Sequence, residues 1–184
     1  MVLSVSRNPA EAVKWGETPE IQSAAQKTAE KAMTDGFVSQ IQEMAKKDAQ
    51  KGVYMSEDFV QYRLSYMKRT VSPNRTQSVA RAMMAMQRAA NQYGTLLMKL
   101  LDGYSMEAHL GMHPTAEVYA PNGEMIAAQT TGGQWIELHT EAEEKFMGES
   151  TMVYLDAYRA ARAEIKAAAQ APAQHATGTV DVRA

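Results

Sequence analysis

Three histidines and a run of carboxylates are the residues of this 184-residue chain that invite a chemical reading. His109 and His113 stand four apart, the spacing at which two imidazoles on one helical turn share a metal ion, with His139 as a possible third ligand. Pro114 follows His113 directly and disfavours helical geometry there, and the glutamate of a His-Glu-x-x-His motif is missing. The pair therefore reads as loop histidines, and no metal site is expected. Glu141, Glu143 and Glu144 lie in the first turn of a helix launched by the capping box Thr140-Glu141-Ala142-Glu143, where the helix dipole favours acids without any catalytic role. Thr131-Gly132-Gly133 lies between two strand-like runs, whereas phosphate-cradling glycines work between a strand and a helix. With no nucleophile elbow, phosphate-binding loop or dinucleotide fingerprint, no catalytic residue and no cofactor are expected, and an enzyme of unknown class is the least supported reading.

Charge is segregated along the chain. Residues 59–101 carry seven bases, Arg63, Lys68, Arg69, Arg75, Arg81, Arg88 and Lys99, and no acid; residues 102–156 carry ten acids and a single base, Lys145. Clustered bases release counterions from nucleic-acid phosphates, so Arg63, Lys68, Arg69, Arg75, Arg81 and Arg88 are candidate phosphate contacts of a nucleic-acid-binding accessory protein. The net charge of −2 and the acidic half argue instead that the basic helices face acids, within the molecule or between copies.

A second candidate surface comes from the stretch Val118–His139, which reads as strands with turns at Asn122-Gly123 and Gly132-Gly133. Two-residue turns put Ala116, Val118, Ala120, Met125, Ala127, Ile136 and Leu138 on a core face. The opposite face then carries Glu117 together with Tyr119, Ile126, Trp135, Glu137 and His139, and these last five form the expected interaction patch. On this reading Trp135→Ala weakens a contact and leaves thermal unfolding unchanged. One residue more or less in either turn swaps the faces.

The elements that must position these residues are mostly helical. Phe37, Ile41, Met44, Ala45 and Asp48 recur at helical spacing before Gly52, and Ser56 caps a helix through Met67. Val79, Met83, Met86, Ala90, Tyr93, Leu97 and Leu100 alternate steps of four and three, which predicts a long helix from Pro73 to Asp102. Its expected partner is the last helix, Glu141 to Ala171, with Met147, Thr151, Tyr154, Tyr158, Ala161 and Ile165 as the seam. The fold class is α+β, mainly α: an antiparallel helical bundle with a three-stranded antiparallel β-meander, about 116–139, inserted before the C-terminal helix. Residues 1–16 read as a flexible arm, 17–55 as a loosely docked helical segment with a thin apolar face, 56–171 as the core domain and 172–184 as a disordered tail.

With 45% hydrophobic and 22% charged residues the chain can bury a core of its own. Fourteen methionines serve chiefly as core filler, and the absence of cysteine removes disulfides and thiolate chemistry together. No run approaches a membrane span and no signal peptide is evident, so a cytoplasmic location without membrane insertion is the default, with export lacking a cleaved signal left open. The function expected is non-catalytic: a structural or protein-interaction protein that contacts a protein partner or a second copy through the meander face, with nucleic acid as the alternative partner.

Overall fold

The computed structural model describes residues 19–170 and divides them between a helical cluster and a helix-backed sheet. The helical cluster holds α1 (Pro19–Ala32), α2 (Asp35–Lys51), α3 (Glu57–Thr70) and α5 (Glu141–Gln170). Local signals set their ends. Thr34 and Ser56 cap α2 and α3 through hydrogen bonds accepted from Phe37 N and Phe59 N, and Gly52 ends α2 with a φ of 72°. The expected capping box launches α5: Glu143 N donates to Thr140 Oγ1 at 3.2 Å and Thr140 N donates to Glu143 Oε2 at 2.9 Å.

Phe37, Ile41, Ala45, Asp48 and Ala49 form the buried stripe of α2, which packs along α5. Phe37 meets Phe146 with ring centroids 5.2 Å apart, and Asp48 meets Tyr154 further along both helices, so α2 and α5 run the same way. In α3, Phe59 stacks on Tyr154 and Tyr66 on Phe146, so α3 runs opposite to them. The thin apolar face expected of the first helix is an alanine seam, Ala25, Ala29 and Ala32, buried where α1 lies against α5. Small side chains let the backbones approach closely, and the segment 17–55 is integral to the core as far as it is described. The arm 1–16 and the tail 172–184 fall outside the described residues.

The long helix expected over 73–102 is not formed. Ser72-Pro73-Asn74 is a turn, in which Asn74 takes a left-handed φ of 63° with no side-chain cap bond, and α4 runs from Arg75 to Arg88 only. After Ala89 the chain opens into β1 (Gly94–Lys99), and Asp102-Gly103 turns it into β2 (Ser105–Leu110) through a short 3-10 segment. Strands β3 (Thr115–Tyr119), β4 (Met125–Gln129) and β5 (Trp135–Glu137) follow, and the five pair antiparallel in chain order. The expected three-stranded meander is thus the second part of a five-stranded one. Helix α4 packs on β2 and β3, not on α5, with Val79, Ala82 and Met86 buried against Met106, Ala108, Ala116, Val118, Ile126 and Ala127.

Candidate interaction face

The face of the sheet opposite α4 is covered by no described element. Its central row, fixed by strand pairing, runs Leu97, Glu107, Glu117, Ala128, Ile136, with Lys99, Ser105, Tyr119 and Met125 on one side and Thr95, His109 and Thr115 on the other. Leu97 is 71% exposed, Ile136 49% and Met125 37%. Between these apolar groups Glu107 and Glu117 stand directly opposite each other on neighbouring strands. Like charges in that position are unfavourable unless something answers them. Within the sheet, Tyr119 donates its hydroxyl proton to Glu117, and His109 Nε2 lies 3.6 Å from Glu107. The Glu117 hydrogen bond, followed by partial burial, raises the Tyr119 hydroxyl to about 12, so it stays a proton donor at neutral pH. Leu97, Lys99, Glu107 and Tyr119 also rim a shallow depression of about 320 Å³.

The five residues expected on one patch do not share a face. Tyr119 lies on the uncovered side. Ile126 is fully buried, because Tyr119 pairs with Met125 and Val118 with Ala127, which makes Ile126 the extra residue of a β-bulge. Trp135 and Glu137 are on the α4 side: Trp135 pairs with Gln129 and packs against the sheet's core, and Glu137 pairs with Ala127. The cause is turn length. Thr130 N donates to Gln134 O, which leaves three residues in the loop where two were expected and flips β5. Ile136 therefore takes the exposed side assigned to Trp135. The other expected turn also holds three residues, closed by Ala120 N donating to Glu124 O, but the Ile126 bulge restores the Val118–Ala127 register.

Glu137 and His139 instead border a buried ion pair. Arg75 pairs with Glu143 through Nη1 and donates from Nη2 to Leu138 O at 2.6 Å and Ile126 O at 3.2 Å. Glu137 lies 3.6 Å from Arg75, and His139 Nδ1 lies 3.5 Å from Glu143. Burial works to raise the Glu143 carboxyl, but the neighbouring Ser72 hydroxyl, the Thr140 N–H and Arg75 outweigh it and hold it below its ordinary value. This pair joins the basic and acidic halves of the chain, so it clips α4 and the β5–α5 junction together. A second internal site ties α2 to α5: Tyr154 donates to Asp48 Oδ2 at 2.7 Å and accepts from Met55 N at 2.8 Å, while Ser56 N donates to the same carboxylate.

Of the six candidate phosphate contacts, two are withdrawn from solvent. Arg75 is committed as above, and Arg63 is buried, with its guanidinium 5.0 Å from the Phe59 ring centroid and Nη1 donating to Thr151. Burial lowers the Arg63 pKa. Arg69 lies 5.9 Å from the Tyr66 ring centroid at the end of α3, and Lys68, Arg81 and Arg88 are exposed on α3 and α4. His109 is on β2 and not in a loop, His113 follows that strand, and among the described residues no cluster of His, Asp and Glu has metal-holding geometry.

Leu97 and Glu107 are not among the residues expected at the surface, because the sequence reading contains neither β1 nor β2. The signal was present as the alternation Leu96, Met98, Leu100 and then Tyr104, Met106, Ala108, Leu110 around Asp102-Gly103. No helix of the described residues is long and apolar enough to cross a membrane. No family model, curated protein or solved structure matches this chain.

Proposed function

We propose that the protein is a non-catalytic interaction protein whose contact surface is the uncovered face of the five-stranded sheet. The observation that carries this reading is the contrast between the two faces. One is closed by α4; the other leaves Leu97, Met125 and Ile136 in solvent around the opposed carboxylates Glu107 and Glu117. An apolar surround with two acids at its centre fits a protein surface that inserts a lysine or arginine between the acids and lays apolar groups on either side. The buried Arg75–Glu143 clip and the Asp48–Tyr154 tie hold the scaffold and are not part of the contact.

The test is binding of a partner recovered from the native organism, measured with wild type, Ile136→Lys and Glu107→Lys. Both substitutions lie at exposed or half-exposed sheet positions and are expected to leave the fold intact while each weakens binding at least tenfold, Glu107→Lys also reducing its salt dependence. Unchanged affinity in both variants sinks the reading. For nucleic acid as partner, the burial of Arg63 and Arg75 removes two of the six expected contacts, and no observation favours it over a protein surface.

A further inference from the structure

The two edges of the sheet are unlike. Strand β5 is three residues long and turns Glu137 toward the α4 side, where it faces Arg75; shortness and an inward charge are how edge strands are kept from pairing. Strand β1 has neither device. It is six residues long and contains no proline and no acid, with one charge, Lys99, at its end.

The hydrogen-bonding groups of β1 that no described strand pairs follow from the ladder. Leu100 N donates to Tyr104 O, toward β2. Because bonded and non-bonded pairs alternate in an antiparallel ladder, Met98 and Leu96 also turn their N–H and C=O groups to β2. Thr95, Leu97 and Lys99 then point theirs away from the sheet.

We infer that β1 pairs antiparallel with β1 of a second copy, about a two-fold axis at Leu97, to make a continuous ten-stranded sheet. Three features select a second copy. First, outward groups on alternate residues require Thr95, Leu97 and Lys99 to face residues of the same set, and a two-fold at Leu97 satisfies this with Leu97 opposite itself and Thr95 opposite Lys99. That arrangement covers the 71% exposed leucine with its own copy and keeps the two lysines apart. Second, on the α4 side the same register sets Leu96 against Met98, both half-buried in one copy, so the dimer extends the existing core. Third, α4 packs on β2 and β3; at about 4.8 Å between strands the two α4 helices stand about 19 Å apart, well beyond helix contact distance, so they do not collide. The inference rests on reading the chain as an interaction protein. It uses the backbone edge of β1 and, of the uncovered face, the Leu97 side chain but not Met125, Ile136 or the Glu107–Glu117 pair, so the two can fail separately.

Sedimentation of the full chain over a wide concentration series tests it, with wild type, Leu97→Pro and Ile136→Lys. Proline at 97 removes an N–H that points away from β2, so the monomer keeps its ladder. Wild type and Ile136→Lys are expected to rise from 20.3 kDa toward twice that mass, and Leu97→Pro to stay at 20.3 kDa with an unchanged circular dichroism spectrum. Amide exchange in wild type provides a check that needs no variant: raising the concentration should slow Thr95, Leu97 and Lys99, and leave Leu96 and Met98 unaltered. A wild type that stays at 20.3 kDa overturns the proposal, as does a rise that survives in folded Leu97→Pro. Loss of the rise in Ile136→Lys moves the self-contact to the uncovered face and overturns the edge. Should Leu97→Pro fail to fold, slowing without the odd–even alternation overturns it.

Discussion

Glu143 and Tyr154 each hold several donors and acceptors in place from inside α5, and their chemistry makes them testable one residue at a time. Glu143→Gln leaves the buried Arg75 guanidinium without its buried anion and with only the exposed Glu137 at 3.6 Å, so a loss of about 3 kcal/mol is expected in urea unfolding at pH 7. Because the folded carboxyl lies below its ordinary value of 4.5, its stabilisation is complete above that value and is lost as pH falls through the folded one. The gap between wild type and Glu143→Gln should therefore narrow below pH 4.5; a constant gap down to full acid unfolding contradicts this assignment. Asp48 follows the same sign: burial pushes it up, yet Tyr154, Ser56 and Lys51 bring it below 3.8. Tyr154→Phe removes its strongest side-chain donor, so it should cost about 1.5–3 kcal/mol and move the Asp48 titration, followed by carboxyl carbon NMR, upward.

At the scale of elements, the sheet decides what is core and what is contact. Trp135 lies on the α4 side and is half-buried against the sheet's core, so Trp135→Ala should cost about 2 kcal/mol, near half of a fully buried truncation, or about 4–8 °C in melting temperature for a chain of this length. An unchanged melting temperature would restore the sequence-based placement of Trp135 on the exposed face. The same elements show why legibility was uneven. Helices α2, α3 and α5 could be read because Ser56, Gly52 and the Thr140–Glu143 box act within a few residues of themselves. Strands β1 and β2 could not, because Tyr93, Leu97 and Leu100 fit a helical seam as well as Leu96, Met98 and Leu100 fit a strand, and a short window does not separate the two periods. For β5 the obstacle was parity: the Gly132-Gly133 pair marks a turn in sequence, but one added loop residue reverses every side chain beyond it. The uncovered face accordingly holds Tyr119 of the expected residues and takes Ile136 in place of Trp135, while its other half, Leu97 and Glu107, lies on β1, within the span expected as a helix, and on β2, ahead of the expected meander.

Across the whole molecule, the charge segregation seen in the chain is partly consumed internally, at Arg75 and Glu143, and partly displayed, at Glu107 and Glu117. The helical cluster fastens to the helix-backed sheet through that internal pair and through Glu124, which accepts from Glu141 N at the start of α5. The uncovered sheet face, with Leu97, Met125 and Ile136 around Glu107 and Glu117, is proposed to meet a protein. The most direct measurement is affinity capture from the native organism with wild type, Ile136→Lys and, as a control on an exposed site of α5, Met152→Lys. A partner retained by wild type and Met152→Lys and lost by Ile136→Lys is expected, with all three proteins melting alike; a partner recovered equally with Ile136→Lys would contradict a contact through this face.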